Sequence, residues 1–340
     1  MSVPPGIDAA AVSEWFAAHV PQAAQPLRFE LIAGGHSNLT YRVHCADGSS
    51  VVLRRPPLGH VLATAHDMGR EHKIISGVGQ TDVPVPRAIA LCADETVNEA
   101  PFYVMSHEDG AVLHSADESA LVPEAERVPL SRRVADVLAA LHAIEPDDVG
   151  LGDLGRREDY LGRQLRRWKR QWEQSKTREL PIMDEVAAEL EARKPEQVGS
   201  AIVHGDYRLG NMISGSGDIV AVLDWELCTL GDPMADVGYL MNNWVLPDEQ
   251  TAGTSAPTQA GGFASRSEML DWYADASGRD LSRVDYYRAF SYWRLAAISE
   301  GVLNRYLRGV MADAEETDTD QFRENVDFLS TSAAERLAVR

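Results

Sequence analysis

His204-Gly205-Asp206-Tyr207-Arg208-Leu209-Gly210-Asn211 is a polar loop held between two short apolar runs, Ala201-Ile202-Val203 and Ile219-Val220-Ala221-Val222-Leu223; the second run ends on Asp224. Strands seeded inside otherwise helical sequence, with a polar loop between them, mark a place for chemistry. Phosphoryl transfer from ATP needs magnesium across the phosphates, oxygen ligands to hold it, and a carboxylate to take the proton of the attacking hydroxyl. Asp206 is a candidate base, Asn211 offers an amide oxygen to a metal, and Asp224 offers a carboxylate from a strand end. The Asp-x4-Asn spacing is that of the kinase catalytic loop. Each residue alone reads as a turn former or a strand end, and it is their joint occurrence that favours chemistry.

Toward the amino terminus the pattern is that of strands. Residues 29–33, 41–45 and 50–54 form a meander, with Ala46-Asp47-Gly48-Ser49 as hairpin turn. A helix follows around Gly69 to Ser76, then strands at 88–92 and 102–105. Beyond residue 110 the period becomes helical, as in Val134, Val137, Leu138, Leu141 and Ile144. The fold class is therefore α+β. A five-stranded antiparallel sheet with a helix occupies residues 1–108, including a helical extension at 7–19, and a mainly helical lobe occupies 109–340. Residues 247–262, PDEQTAGTSAPTQAGG, have turn and linker composition and predict a mobile surface loop.

The whole chain bounds its partners. In 340 residues, 32 Lys and Arg stand against 52 Asp and Glu, a formal net charge of −20 that argues against nucleic acid. No apolar run is long enough to span a bilayer, and the first residues lack the features of a signal peptide, so a cytoplasmic monomer or homodimer without membrane contact is expected. Cys45, Cys92 and Cys228 are isolated and expected to be buried thiols.

HGDYRLGNM and LDWELCTLGDPMADVGYL resemble the catalytic loop and the metal-binding strand with its following helix in the aminoglycoside phosphotransferase superfamily, the protein-kinase-like kinases of small molecules. His204-Gly-Asp stands where protein kinases have His-Arg-Asp, and Asp224-Trp-Glu where they have Asp-Phe-Gly. The resemblance implies a bilobal protein-kinase-like fold, ATP and Mg as cofactors, Asp206 as base, and Asn211 and Asp224 as metal ligands. It also implies a phosphate-covering loop at 34–38, where Gly35 permits close backbone approach and Ser37 and Asn38 donate to phosphate oxygens. Val51-Val52-Leu53-Arg54 is similar to the kinase V-A-I-K strand with arginine for lysine. Alternation sends Arg55 to the opposite face, so the resemblance implies Arg54 as the phosphate ligand, with Glu71 its expected partner. Backbone groups of Ser106, His107 and Glu108 would meet the adenine edge. His204, Asp232 (a helix N-cap before Pro233) and Asp236, which resembles the family residue bracing the loop from below, take supporting roles.

No long activation segment separates Asp224 from the helix near Pro233, which favours a small-molecule acceptor over a polypeptide. Residues 156–178 hold nine Lys/Arg against three Asp/Glu. Helical spacing sets Arg163, Arg166, Arg167 and Arg170 along one side, a stripe that would attract an anionic substrate and repel a cationic aminoglycoside. Together with Glu226 these are the candidate acceptor contacts. The basic helix and the LRRPP and VMSHEDG stretches look like the branch containing the kinase-like domain of acyl-CoA dehydrogenase family members 10 and 11. That resemblance implies a hydroxyacyl substrate, as a coenzyme A thioester or another anionic metabolite. An aminoglycoside kinase and a nucleotide-binding pseudokinase scaffold are the alternative readings.

Overall fold

The computed structural model describes residues 4–33, 38–58, 67–252, 255–309 and 318–339. Asp8 caps the first helix, α1 (Ala9–His19), its carboxylate accepting the N–H groups of Ala10 and Ala11. Five strands follow: β1 (Arg28–Ala33), β2 (Leu39–His44), β3 (Ser50–Arg55), β4 (Ala88–Cys92) and β5 (Phe102–Ser106). They pair antiparallel in the order β1-β2-β3-β5-β4. Helix α2 (Met68–Val78) lies between β3 and β4, and a single turn, α3 (Glu95–Asn98), between β4 and β5.

Strand alternation divides this sheet into two faces. Tyr41, Val43, Leu53, Phe102 and Val104 pack toward Val12 and Phe16 of α1 in one cluster. Val52, Tyr103 and Met105 join the second cluster, which continues through α2 into the helical part. Arg55 follows the first face and donates to the carbonyls of Gly6 and Asn98. Arg54 follows the second, toward the helical part.

Beyond the sheet come β6 (Ala111–Val112), α4 (Ala116–Ala120), α5 (Glu124–Ala143), α6 (Tyr160–Ser175) and α7 (Pro181–Ala192). Then come β7 (Ala201–Val203), β8 (Met212–Gly215), β9 (Asp218–Val222) and β10 (Thr229–Gly231), followed by α8 (Met234–Asn243), α9 (Arg266–Ser277), α10 (Val284–Leu307) and α11 (Thr319–Leu337). The two apolar runs beside the polar loop do not pair with each other. β7 pairs with β10, while β9 pairs with β8, which pairs in turn with β6.

Two sequence expectations change here. The 247–262 stretch is anchored in its described residues: Glu249 forms a double contact with Arg266, Thr258 is buried and donates to the Val245 carbonyl, and Gln259 donates to that of Glu249. Its polar side chains satisfy backbone groups, a use that linker composition does not reveal. Helix α8 starts at Met234, one residue later than expected, with Pro233 at its cap. Asp232 still accepts the Met234 N–H at 3.1 Å and also takes the Tyr287 hydroxyl at 2.7 Å. No helix among the described residues is long and apolar enough to cross a membrane, and all three cysteines are buried and free.

Candidate active site

The polar loop is shaped by one glycine and one buried helix. Gly205 has φ +85°, and a Cβ there would lie 2.9 Å from the Leu227 carbonyl oxygen, so glycine lets the loop close on the segment after Asp224. Asp236, in the first turn of α8, accepts the N–H groups of His204 at 2.6 Å and Gly205 at 2.8 Å. Burial opposes its charge, but His142, His204 and these donors outweigh burial and hold its pKa below the usual carboxylate range. His204 is buried. Its ring contacts the Leu223 carbonyl at 2.9 Å and the Asp206 N–H at 3.2 Å, so it tethers the loop to the end of β9.

With the backbone fixed, Asp206 carries three partners. Oδ1 accepts the Tyr239 hydroxyl and lies 3.3 Å from Nε of Arg208; Oδ2 accepts Nδ2 of Asn211 at 2.6 Å. Because an amide is planar, committing Nδ2 to Asp206 turns Oδ1 of Asn211 the other way. Asp224 has φ 64°, a left-handed conformation that Asp tolerates better than most residues. The turn it makes buries Trp225, whose ring sits 4.6 Å from that of His204.

Opposite the loop, Arg54 bridges two carboxylates: Nη2 lies 2.5 Å from Asp224 and Nε 3.3 Å from Glu71. Burial disfavours its charge, but Tyr103, Glu71 and Asp224 outweigh it and raise its pKa. Burial raises Glu71 in turn, opposed by Arg54 and by hydrogen bonds from Tyr103 at 3.1 Å and Asn38 at 2.7 Å. α2 also reaches across through Arg70, which donates to the Cys228 carbonyl, and Lys73, 2.5 Å from Asp153.

Asn211 and Asp224 offer oxygen donors of the kind magnesium takes beside phosphate oxygens, which fits a one-carboxylate site better than a dedicated cage. Among the described residues no group of three or more His, Cys, Asp and Glu forms a metal cluster.

Several expected contacts differ. Asn38 is buried and gives its amide to Glu71, so it steadies the Arg54–Glu71 pair instead of facing a phosphate. Gly35 and Ser37 lie outside the described residues. Ser106 still belongs to β5: its N–H goes to the Arg87 carbonyl and its hydroxyl to Glu108, so of the proposed adenine-edge backbone N–H groups its own is already used. His107 lies 3.6 Å from Asp109.

The basic stripe is also redistributed. Arg166 pairs with Asp159 at 2.8 Å, Arg163 donates to the Arg156 carbonyl, and Arg170 is exposed. Arg167 lines a cavity between α6 and α10, with its guanidinium 5.0 Å from the Trp168 ring centroid. Helical spacing fixed their side of α6 but not their partners, and the αL turn at Asp159 brings a carboxylate back to Arg166.

Two large cavities lie on different faces of α10, and each reaches the loop. One, about 600 Å³, reaches Asp206, Arg208 and Tyr239 and extends between α8, α10 and α11; its lining includes three acidic and three basic side chains. The other, about 570 Å³, reaches Gly205 and Glu226 and is walled by Arg167 and Trp168 of α6 and by Arg294 and Arg305 of α10, with Arg308 just beyond. Four arginines there face one carboxylate. Burial, then Asp224, pushes Glu226 up to about 7, and its Oε2 is buried without a hydrogen-bond partner.

Sequence reading missed Arg208, Tyr239 and Arg294. Arg208 lies in the loop itself, Tyr239 is three residues after Asp236 on the same helix face, and Arg294 is a lone charge in the apolar run of α10.

The chain is similar to known proteins. Residues 28–274 match the model of the phosphotransferase enzyme family. Mouse acyl-CoA dehydrogenase family member 10 is 32% identical over 318 residues, covering 90% of this chain, which spans 29% of that protein. A Ralstonia eutropha crystal structure, provisionally assigned as an aminoglycoside phosphotransferase, superposes with TM-score 0.80 at 32% identity, covering 96% of this chain and 98% of the other. A thermostable aminoglycoside phosphotransferase solved with AMP-PNP and hygromycin B shares the fold at TM-score 0.61 and 16% identity, over 95% and 99% of the two chains. With a kinase-like fold and a family match across most of its length, the chain belongs to the phosphotransferase enzyme family.

Proposed function

We propose that this protein is an ATP- and Mg-dependent phosphotransferase acting on a hydroxyl of a small anionic metabolite. The observation that carries the reading is the convergence of Asp206, Asn211, Asp224 and Arg54 between sheet and helical part. Asn211 and Asp224 would hold magnesium, which supplies charge neutralisation across the phosphates when bound. Arg54, kept charged by two carboxylates, would lie along the phosphates with its planar fork. Asp206 orients the acceptor hydroxyl and takes its proton; Arg208 beside it meets the charge on the transferring group. Positioning and electrostatics carry most of the rate.

Charge in the second cavity supports an anionic acceptor. Four arginines against Glu226 favour a carboxylate- or phosphate-bearing molecule and disfavour a cationic aminoglycoside. Similarity to a protein named as an acyl-CoA dehydrogenase supports a hydroxyacyl group carried on coenzyme A. The presence of every catalytic residue type weighs against a pseudokinase scaffold. A screen of hydroxy acids, their acyl-CoA forms and aminoglycosides for ADP release identifies the acceptor. Asp206→Asn is expected to lower turnover on it by about 10²–10⁴-fold while ATP binding, measured by calorimetry, persists; unchanged turnover would sink the mechanism.

A further inference from the structure

We infer that Tyr239 is a positioning residue that sets the rotamer of Asp206 from the core of the helical part. This rests on the reading of Asp206 as the base. The Tyr239 hydroxyl donates to Oδ1 of Asp206, and its ring is buried in α8. The guanidinium of Arg294 lies 5.4 Å from the ring centroid while its Nη2 donates to the Gly205 carbonyl at 2.9 Å. Asp236 is one helical turn back on the same face and holds the loop backbone. One helix therefore fixes the loop twice: Asp236 fixes its main chain, and Tyr239 the side chain that projects from it.

The other two partners of Asp206 are less suited to hold it throughout a turnover. Asn211 is proposed to hold the metal, and the Arg208 side chain is about a third exposed. Tyr239 stands on a rigid packed element, where a bond to a reacting group is best preorganised. Burial, reinforced by Asp206, raises its pKa, so it remains a donor at physiological pH.

The test is Mg-dependent ATP hydrolysis with water as acceptor, followed in single turnovers for wild type, Tyr239→Phe, Asp206→Ala and the double variant. Tyr239→Phe keeps the ring and loses only the hydroxyl. It is expected to lower the chemical rate about 10- to 100-fold with the KM for ATP and the unfolding midpoint unchanged. In the Asp206→Ala background the same substitution is expected to add no further loss, because there is no carboxylate left to orient. A wild-type rate in Tyr239→Phe, beside a slow Asp206→Ala, overturns the positioning role alone and leaves the phosphotransferase reading standing. An equal further loss in the double variant, or a lowered midpoint with a raised KM for ATP, also overturns it, in favour of a structural role. A wild-type rate in Asp206→Ala overturns both.

Discussion

The two cavities beside α10 share a helix, a neighbouring loop and nearly the same volume, yet they differ in charge. On the α8 and α11 side, Asp206, Glu249 and Glu335 balance Arg208, Arg266 and Arg336. On the α6 side, Arg167, Arg294, Arg305 and Arg308 face Glu226. A chain with net charge −20 thus keeps a cationic recess beside its polar loop. Net charge describes solubility and long-range steering, whereas the acceptor meets the local field of the wall it touches. Cation clustering there comes from two helices far apart in sequence, and neither α6 nor α10 builds it alone.

That contrast can be broken by charge reversal. Arg167→Glu with Arg305→Glu is expected to raise the KM for an anionic acceptor about 10- to 100-fold with the KM for ATP unchanged, while Arg336→Glu in the balanced cavity changes neither. Steady-state kinetics with the acceptor from the screen decides it, and equal effects on the two sides would erase the distinction. The wall common to both cavities offers a second handle. α8 packs on α10 through Gly238, where a Cβ would lie 2.6 Å from the Tyr287 carbonyl carbon. Gly238→Ala is expected to cost about 1–3 kcal/mol in denaturant unfolding and to impair both sides together. A neutral result would show that α10 shifts freely.

The smallest effect belongs to the balanced cavity alone. The hydrogen bonds and charge of Arg266 hold Glu249 down to about 2. A carboxylate with a depressed folded pKa contributes stability that is complete above its unfolded value near 4.5 and is lost as pH falls toward 2. Glu249→Gln should therefore narrow the difference in unfolding midpoint between pH 6 and pH 3, by a modest amount because this pair is partly exposed. An unchanged pH dependence in the variant would show that the Arg266 pair does not tether 249–252.

Much of the candidate site was legible in local pattern. The Asp-x4-Asn loop and the strand-ending Asp224 lie within nineteen residues, and alternation alone separates Arg54 from Arg55, so short-range geometry sufficed. The five-stranded sheet likewise follows from its hairpins and period. Less legible were groups whose meaning depends on a partner far along the chain. Arg163 and Arg166 carry the same charge as Arg167, but the turn at Asp159 claims Arg166 and a backbone carbonyl claims Arg163. Asn38 reads as a phosphate donor until Glu71, thirty-three residues on, takes its amide.

Sequence by itself therefore determined the fold class, the place of the polar loop and the side of β3 from which an arginine enters, because these rest on periodicity and close spacing. Tertiary structure alone decided which cations surround the second cavity, that 247–262 is tied down where described, and that Tyr239 and Arg294 reach the loop. Those outcomes depend on how helices far apart in sequence pack, which brings Arg294 against Gly205 and Asn304 against Ser175. Side-chain direction on one helix can be read from spacing; what lies opposite it is set by the packing of the others.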